Sequence, residues 1–380
     1  MFGFLLGATA MFAAMYSTQA ILPQISATFH VSAALSGLSI SATIAMVAVG
    51  GWIWGSYSDR RGRRRSLIAA SALLIPPTVA LAVVPNLWVL LVCRGLQGLC
   101  MPGLLTVGVP YVTEVYAPRL GGRAMGLYLL ALVAGGLIGR IGVAELSTVT
   151  GWRGALATLG VLPAAGVLVM SRSLPEVTDS QYSARALHGV LAQLRNPTLW
   201  CAAGAGSALL FCFVGVFSYV SYRLEAAPFS LGPATSSFIF VLWIVGAIGP
   251  WAGRLSDRIG WDKVALGALV CTGTGVLITV PAVLPTVVLG LVLVATGMFA
   301  GVTAVQLGVA QSTTVDRGSA SGLYFTSYYL TGALGAFVAG LAWQGAAWLG
   351  VALLCAALPL LMALVLASRG RFSVVDCRRR

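Results

Sequence analysis

Charge is the scarcest property of this sequence. Only 9% of its 380 residues are Asp, Glu, Lys or Arg, against about 25% in soluble globular proteins. A water-facing surface cannot be assembled from so few, which excludes an ordinary soluble enzyme. The 58% hydrophobic content equally excludes a disordered chain. Lysine is nearly missing: Lys263 is the single Lys among 23 basic residues, and no Walker sequence surrounds it. ATP-driven transport within this chain is thereby excluded. Acids number 10, leaving a formal charge of +13. That excess would suit phosphate binding, but the arginines fall in short gaps between apolar runs, so a membrane reading takes precedence over a nucleic-acid one. The seven Cys form no CxxC, and six of them sit in apolar runs as packing residues. The two His, His30 and His188, fall in loops and make weak proton relays. No zinc spacing or catalytic triad is present, and lone Gly-x-Gly runs lie in helices, so no enzyme is expected.

Long apolar runs are abundant instead. A helix crossing a bilayer needs about 20 mainly apolar residues. Twelve segments qualify: 2–23, 32–56, 66–84, 87–110, 122–142, 153–171, 199–222, 233–252, 264–281, 284–308, 318–340 and 345–367. The one long gap, 172–198, carries Arg172, Glu176, Asp179, Arg185, His188 and Arg195. It reads as a cytoplasmic linker between an N-terminal six-helix bundle (1–171) and a C-terminal one (199–367), with a basic tail at 368–380. Placing the N-terminus in the cytoplasm puts 19 of the 23 basic residues in cytoplasmic loops or the tail. The other four are Arg94, Arg140, Arg153 and Arg223. Both termini are therefore expected inside. The chain enters an apolar segment at once, without a charged leader region, so no cleaved signal peptide is expected; a short missing N-terminal tail is compatible with that.

The sequence repeats itself. Gly55-Ser-Tyr-Ser-Asp59-Arg60-Arg-Gly62 after the second segment matches Gly253-Arg-Leu-Ser-Asp257-Arg258-Ile-Gly260 after the eighth, 198 residues later. Ala124-Met-Gly126-Leu127-Tyr128 opens the fifth segment and matches Ala320-Ser-Gly322-Leu323-Tyr324, which opens the eleventh, 196 residues later. The same register pairs Gly136 with Gly332 and Gly139 with Gly335. A six-helix unit has been duplicated. Two such halves suit a transporter whose site lies between them near the midplane and is exposed alternately to each side.

Gly55-x-x-x-Asp59-Arg60-x-Gly62-Arg63-Arg64 resembles the loop 2–3 signature of the major facilitator superfamily. Arg94-Gly-Leu-Gln97-Gly98 on the fourth segment resembles the family's second motif. Tyr16-Ser-Thr-Gln19-Ala-Ile-Leu-Pro23 on the first is similar to the drug:proton-antiporter-like efflux branch; Gly126-Leu-Tyr and Tyr222-Arg-Leu add to this. Within the family the chain resembles the YnfM-type group of bacterial inner-membrane transporters, over nearly its whole length. The resemblance implies an all-α membrane protein, twelve transmembrane helices in two pseudo-symmetric six-helix bundles, and transport; it brings no substrate. Two stretches depart from the pattern. The second loop copy continues Gly260-Trp261-Asp262-Lys263, without the basic pair. The antiporter motif of the fifth segment, Gly-Pro then Gly-Gly in the family, reads Gly135-Gly136-Leu-Ile-Gly139-Arg140.

The resemblance also implies a cytoplasmic latch. Asp59 would face the helix N-terminus near Gly318, Gly55 would admit that neighbour closely, and Arg63 would pair with Glu114. Arg60, Gly62, Asp257 and Arg258 complete the two loop copies. Positive-inside charge alone is the plainer account of these residues.

Arg94 lies about eight residues, or roughly 12 Å, into the fourth segment. A charge so deep faces an interior or a cavity and has a partner. Tyr16, Gln19, Arg94 and Gln97 are expected as one polar cluster, which either contacts substrate and couples protons or ties helices through carbonyls of the first segment. Arg140 with Glu145, and Arg223 with Glu225, read as pairs near the outer rim: a gate crossing the halves, or interfacial snorkelling with local pairing. Arg140 also interrupts a Gly-rich helix and could meet an anionic group. Phe217, Trp243 and Tyr328, with Phe213, Tyr219 and Tyr324, line an apolar cavity or face lipid. Gln306 is a polar candidate for the wall of the second half. The glycines of the fifth and eleventh segments mark close packing, static or sliding. No Asp or Glu falls at the middle of any segment, which tilts the substrate toward neutral or anionic compounds.

These features read as a secondary active transporter of the bacterial inner membrane: a proton-coupled exporter of a small organic molecule, working by alternating access. Its expected partners are substrate, protons and lipid, with no nucleic acid; it is expected to be a monomer and to need no cofactor beyond a proton gradient. The alternatives are a proton symporter importing a small metabolite and a transport-inactive sensor on the same fold.

Overall fold

The computed structural model describes residues 1–176, 193–313 and 317–377, with side chains as far as Ser368 apart from that of Arg317. Asp179, Arg185 and His188 of the expected linker, and the side chains of the basic tail from 369 on, lie outside the described residues.

In a bilayer every backbone polar group must find its partner within the protein, and a helix does this locally. Among the described residues ten helices are long and apolar enough to cross a membrane, and two of them break midway, so there are twelve crossings. They are α1 (Phe2–Phe29), α2 (Ala33–Arg61), α3 (Arg63–Val83) and α4 (Leu87–Leu120). The helix Gly122–Ser173 breaks at Gly151, where φ is 70°; its arms are α5 and α6. Next come α7 (Pro197–Glu225), α8 (Pro233–Ile259), α9 (Trp261–Ile278) and α10 (Leu284–Gln311). The helix Gly318–Ser368 breaks at Ala346 and Ala347 into α11 and α12. Each apolar segment read from the sequence coincides with one crossing.

The chain forms two compact units: Met1–Ser183 with Ser221–Val241, and Ala184–Val220 with Leu242–Arg380. The end of α7 and the start of α8 thus group with the first six helices. This division differs from the expected C-terminal bundle 199–367.

In the first unit α1 packs on α5 and α6, α2 packs on α4, and α3 packs on α4 and α6. At the end remote from the arginine-rich loop, Ile21, Ile25, Leu87, Trp152 and Leu156 close a buried apolar core. In the second unit α9 packs along α10 and against the α11–α12 helix.

The duplication is visible in the geometry of each unit. A β-carbon on Gly139 of α5 would strike the Ala13 carbonyl of α1; one on Gly335 of α11 would strike the Phe211 carbonyl of α7. These contacts are equivalent under the repeat. The two loop copies also end their helices identically. Gly62 (φ 85°, ψ 155°) and Gly260 (φ 95°, ψ 145°) adopt a conformation open to glycine. Their N–H groups donate to Ser58 O at 2.9 Å and Ser256 O at 3.0 Å.

Candidate functional site

Three irregular stretches of backbone meet in the first unit. The helix α1 loses its ladder at Ser17 and Thr18 and continues as a tight turn over Gln19–Ile21. The sequence explains the break: Pro23 has no N–H for the Gln19 carbonyl, and the Ser17 hydroxyl donates to Ala14 O at 3.0 Å. The helix α5 widens into a π-turn over Ile138–Gly142, within a run rich in glycine. The helix α8 opens with a single turn, Pro233–Ser237, and tightens over Phe238–Ile248. The first two stretches and the turn Pro233–Ser237 touch one another pairwise. Such departures from α geometry gather at functional sites.

Arg140 sits at this junction, fully buried. Its Nε donates to Gln19 Oε1 at 2.7 Å and its Nη1 to Gly136 O at 2.8 Å. The guanidinium carbon stands 4.3 Å from the centroid of the Tyr16 ring and 5.2 Å from that of Phe240. Ring faces and oriented dipoles hold the charge here. This corrects the placement of Arg140 at the rim beside Glu145. Arg140 is interior, because the π-turn adds a residue and turns this stretch of α5 toward α1, whereas Glu145 is exposed.

Arg94 is also fully buried, in a different setting. Its Nε donates to Ser39 O at 3.1 Å, and its Nη2 to Met15 O at 2.7 Å. Its Nη1 reaches Ala14 O at 2.7 Å, Ser17 Oγ at 3.2 Å and Gln97 Oε1 at 2.8 Å. Gln97 donates onward to Thr78 Oγ1 at 2.8 Å. Two of the five acceptors are carbonyls at the broken end of α1. Arg94 replaces the ladder that the break removed and ties α1, α2 and α4 together. Of its two readings, the helix-tying one fits this geometry. The expected four-residue cluster is accordingly two clusters: Arg94 with Gln97, and Arg140 with Gln19 and Tyr16.

At the far end of the same unit the Tyr222 hydroxyl donates to Leu22 O at 3.0 Å and lies 2.8 Å from Ser36 Oγ. Nearby, Ser236 Oγ donates to Glu225 Oε1 at 3.4 Å. Among the acids whose side chains are described, Glu225 is the one that is not exposed. Arg223 stands over the Phe229 ring at 5.6 Å. Phe240, Ser17, Ser36 and Ser39 were not singled out from the sequence; the Ser-Thr pair beside Gln19 was the available signal.

At the arginine-rich end of the first unit Asp59 and Arg60 are exposed at the end of α2, and space is open around Gly55; in the second unit Asp257 and Arg258 are exposed at the end of α8. Arg63 Nη2 lies 2.5 Å from Glu114 Oε1, in the π-turn Val112–Tyr116. Arg64 caps α6, donating to Leu174 O at 2.9 Å and Ser171 O at 2.7 Å and meeting Glu176 at 3.3 Å.

In the second unit Phe217 and Trp243 are buried against Phe213, with ring centroids 4.7 Å and 4.8 Å from it. They pack as an aromatic nest. Tyr328 lies against Tyr324 at 5.5 Å. Gln306 is exposed and lines a cavity with Tyr324.

Residues 4–336 match the sequence family described as the Major Facilitator Superfamily. The chain is 31% identical over 345 residues to the MFS-type transporter YybF of Bacillus subtilis (strain 168), covering 88% of this chain and 84% of that protein. It is 30% identical over 349 residues to the inner membrane transport protein YnfM of Escherichia coli (strain K12), covering 88% and 82%. A crystal structure of a bacterial homologue of the human lysosomal transporter Spinster, inward-facing and occupied, superposes with a TM-score of 0.78 over 97% of this chain and 94% of that one. At 16% identity that likeness is one of fold.

Proposed function

We propose a direction and an energy source for a chain that belongs to the Major Facilitator Superfamily and is a secondary transporter in a membrane: proton-coupled export of a small organic compound. The bacterial inner membrane, with both termini cytoplasmic, is the setting that the arginine distribution and the likeness to YnfM support.

The observation that carries this reading is the Arg140 junction. Transporters place polar groups at broken helices to meet substrate, and here three broken stretches converge on one buried guanidinium. The fixed positive charge, flanked by Tyr16 and Phe240, favours a neutral or anionic compound with an aromatic or acidic group. The glycine seam behind it, Gly139 on the Ala13 carbonyl, lies where the efflux branch that the sequence resembles carries its antiporter motif. Glu225 supplies a carboxylate that is partly withdrawn from water beside Tyr222, a reasonable proton carrier. Asp59, with the Arg63–Glu114 pair, would act as the cytoplasmic latch.

The test is an accumulation screen. Wild type and Arg140→Ala are expressed at matched membrane levels in cells lacking their own major efflux systems. Both are challenged with dyes, antibiotics, sugars and organic acids. Lower accumulation in wild-type cells alone is the expected result. Higher accumulation there would make it an importer. No difference for any compound would count against transport by Arg140 and favour a sensor.

A further inference from the structure

We infer that Phe240 governs the access of substrate to Arg140. While the stretch Phe238–Ile248 of α8 is wound with three residues per turn, the Phe240 ring covers the guanidinium. Rewinding of that stretch to α geometry moves the ring aside and admits a carboxylate. The inference deepens the reading of Arg140 as the substrate-binding group and rests on it.

Arg140 is fully buried. A substrate reaches its charge only when a covering group moves. The rings of Tyr16 and Phe240 stand 4.3 Å and 5.2 Å from the guanidinium carbon. Tyr16 travels with Arg140. The Thr9 hydroxyl of α1 donates to Ala131 O of α5 at 3.1 Å, and Gly135 and Gly139 of α5 lie against the carbonyls of Thr9 and Ala13. A ring at the end of so closely seated a helix does not swing clear of α5. Phe240 comes from a third element, α8, and from its least regular part.

That part is 11 residues of 3₁₀ helix. Runs beyond three or four residues are uncommon, because their hydrogen bonds are poorly aligned, and within a longer helix they often mark hinges. The burial pattern follows the three-residue turn: Ser237, Phe240 and Trp243 are buried, whereas Phe238, Val241 and Ile244 are exposed. Ser237 closes the opening turn Pro233–Ser237, which touches the tight turn of α1 and the π-turn of α5. That turn fixes the frame from which the stretch is wound. Taking the three residues up to Phe240 into α geometry rotates its side chain by about 60° and draws it in by about 1.5 Å. At a radius of about 5 Å from the helix axis the ring shifts by about 5 Å. Ring and guanidinium then stand past the roughly 6 Å reach of a cation–π contact. The charge so uncovered is a planar fork suited to a carboxylate.

The test measures access to Arg140 without transport. Purified full-length protein is treated with phenylglyoxal, an uncharged reagent for guanidinium groups, and labelling at Arg140 is followed by peptide mass spectrometry. Arg94 is the internal reference, since its acceptors lie on α1, α2 and α4. Two variants are compared. Phe240→Ala removes the ring. Val241→Ala with Ile244→Ala keeps the ring and replaces exposed β-branched residues by the best α-helix former. Size-exclusion profiles confirm that both remain folded. Arg140 is expected to label about tenfold faster or more in Phe240→Ala and about threefold faster or more in the paired alanine variant. Arg94 is expected to label at one slow rate throughout. Arg140 labelling as slowly in Phe240→Ala as in wild type would overturn the covering role of Phe240. No change in the paired variant would overturn the rewinding, and Arg94 rising in step with Arg140 would overturn both. Intact transport of every compound by Arg140→Ala would instead remove the substrate reading on which the inference rests, while the labelling result stood.

Discussion

Two buried arginines of the first unit sit in different surroundings. Arg94 is surrounded by five protein acceptors, and a planar fork is needed to serve them; lysine presents a point charge instead. Arg94→Lys is expected to lower the melting temperature and the folded yield, since hydrogen bonds to a charged group contribute about 1.5–3 kcal/mol each. Arg140→Lys should leave the melting temperature closer to wild type and reduce transport about tenfold or more. Thermal unfolding followed by size-exclusion, alongside the accumulation assay, separates the two; equal melting temperatures would contradict this difference. The sequence marked both arginines as exceptional by depth and by the helix they interrupt. It offered Gln97 and the carbonyls of the first segment for Arg94 beside a substrate contact, and could not decide between them or give Gln19 to Arg140, because both depend on the break of α1 after Tyr16, which frees the carbonyls that Arg94 takes and turns Gln19 toward Arg140.

Elements meet through glycine. Gly139 on α5 and Gly335 on α11 lie against carbonyls of α1 and α7, whereas Gly142 has only an ordinary contact, with Ile138 at 3.9 Å. Gly139→Val and Gly335→Val are expected to prevent accumulation of folded protein, and Gly142→Ala to be tolerated; membrane levels of the three variants check this. The pairing of Gly139 with Gly335 was readable from the repeat, as were the spans, because hydropathy and length decide a membrane helix. The break at Gly151 falls between two spans that the sequence separates, whereas that at Ala346–Ala347 falls just inside the start of the span 345–367. The π-turns and the long tight stretch of α8 were not legible: a register change in the backbone ladder follows from what packs against it, not from local composition. The burial of Arg140 was not legible for the same reason, since it follows from the π-turn of α5.

Across the whole molecule, few charges carry the organisation. In the first unit the Arg63–Glu114 pair and the Arg64 cap fasten the ends of α3, α4 and α6. Asp59→Asn should insert normally and yet transport poorly, with surface labelling reporting insertion; normal transport by this variant would remove the latch. Proton-coupled export has a direct readout in membrane vesicles. Everted membrane vesicles are energised to acidify their interior, the gradient is followed with a quenched acridine dye, and a compound found by the accumulation screen is added. Proton exchange for that compound predicts recovery of fluorescence in wild type, and little or none with Glu225→Gln. No recovery in wild type, or deeper quenching as the compound carries protons inward with it, would contradict the account.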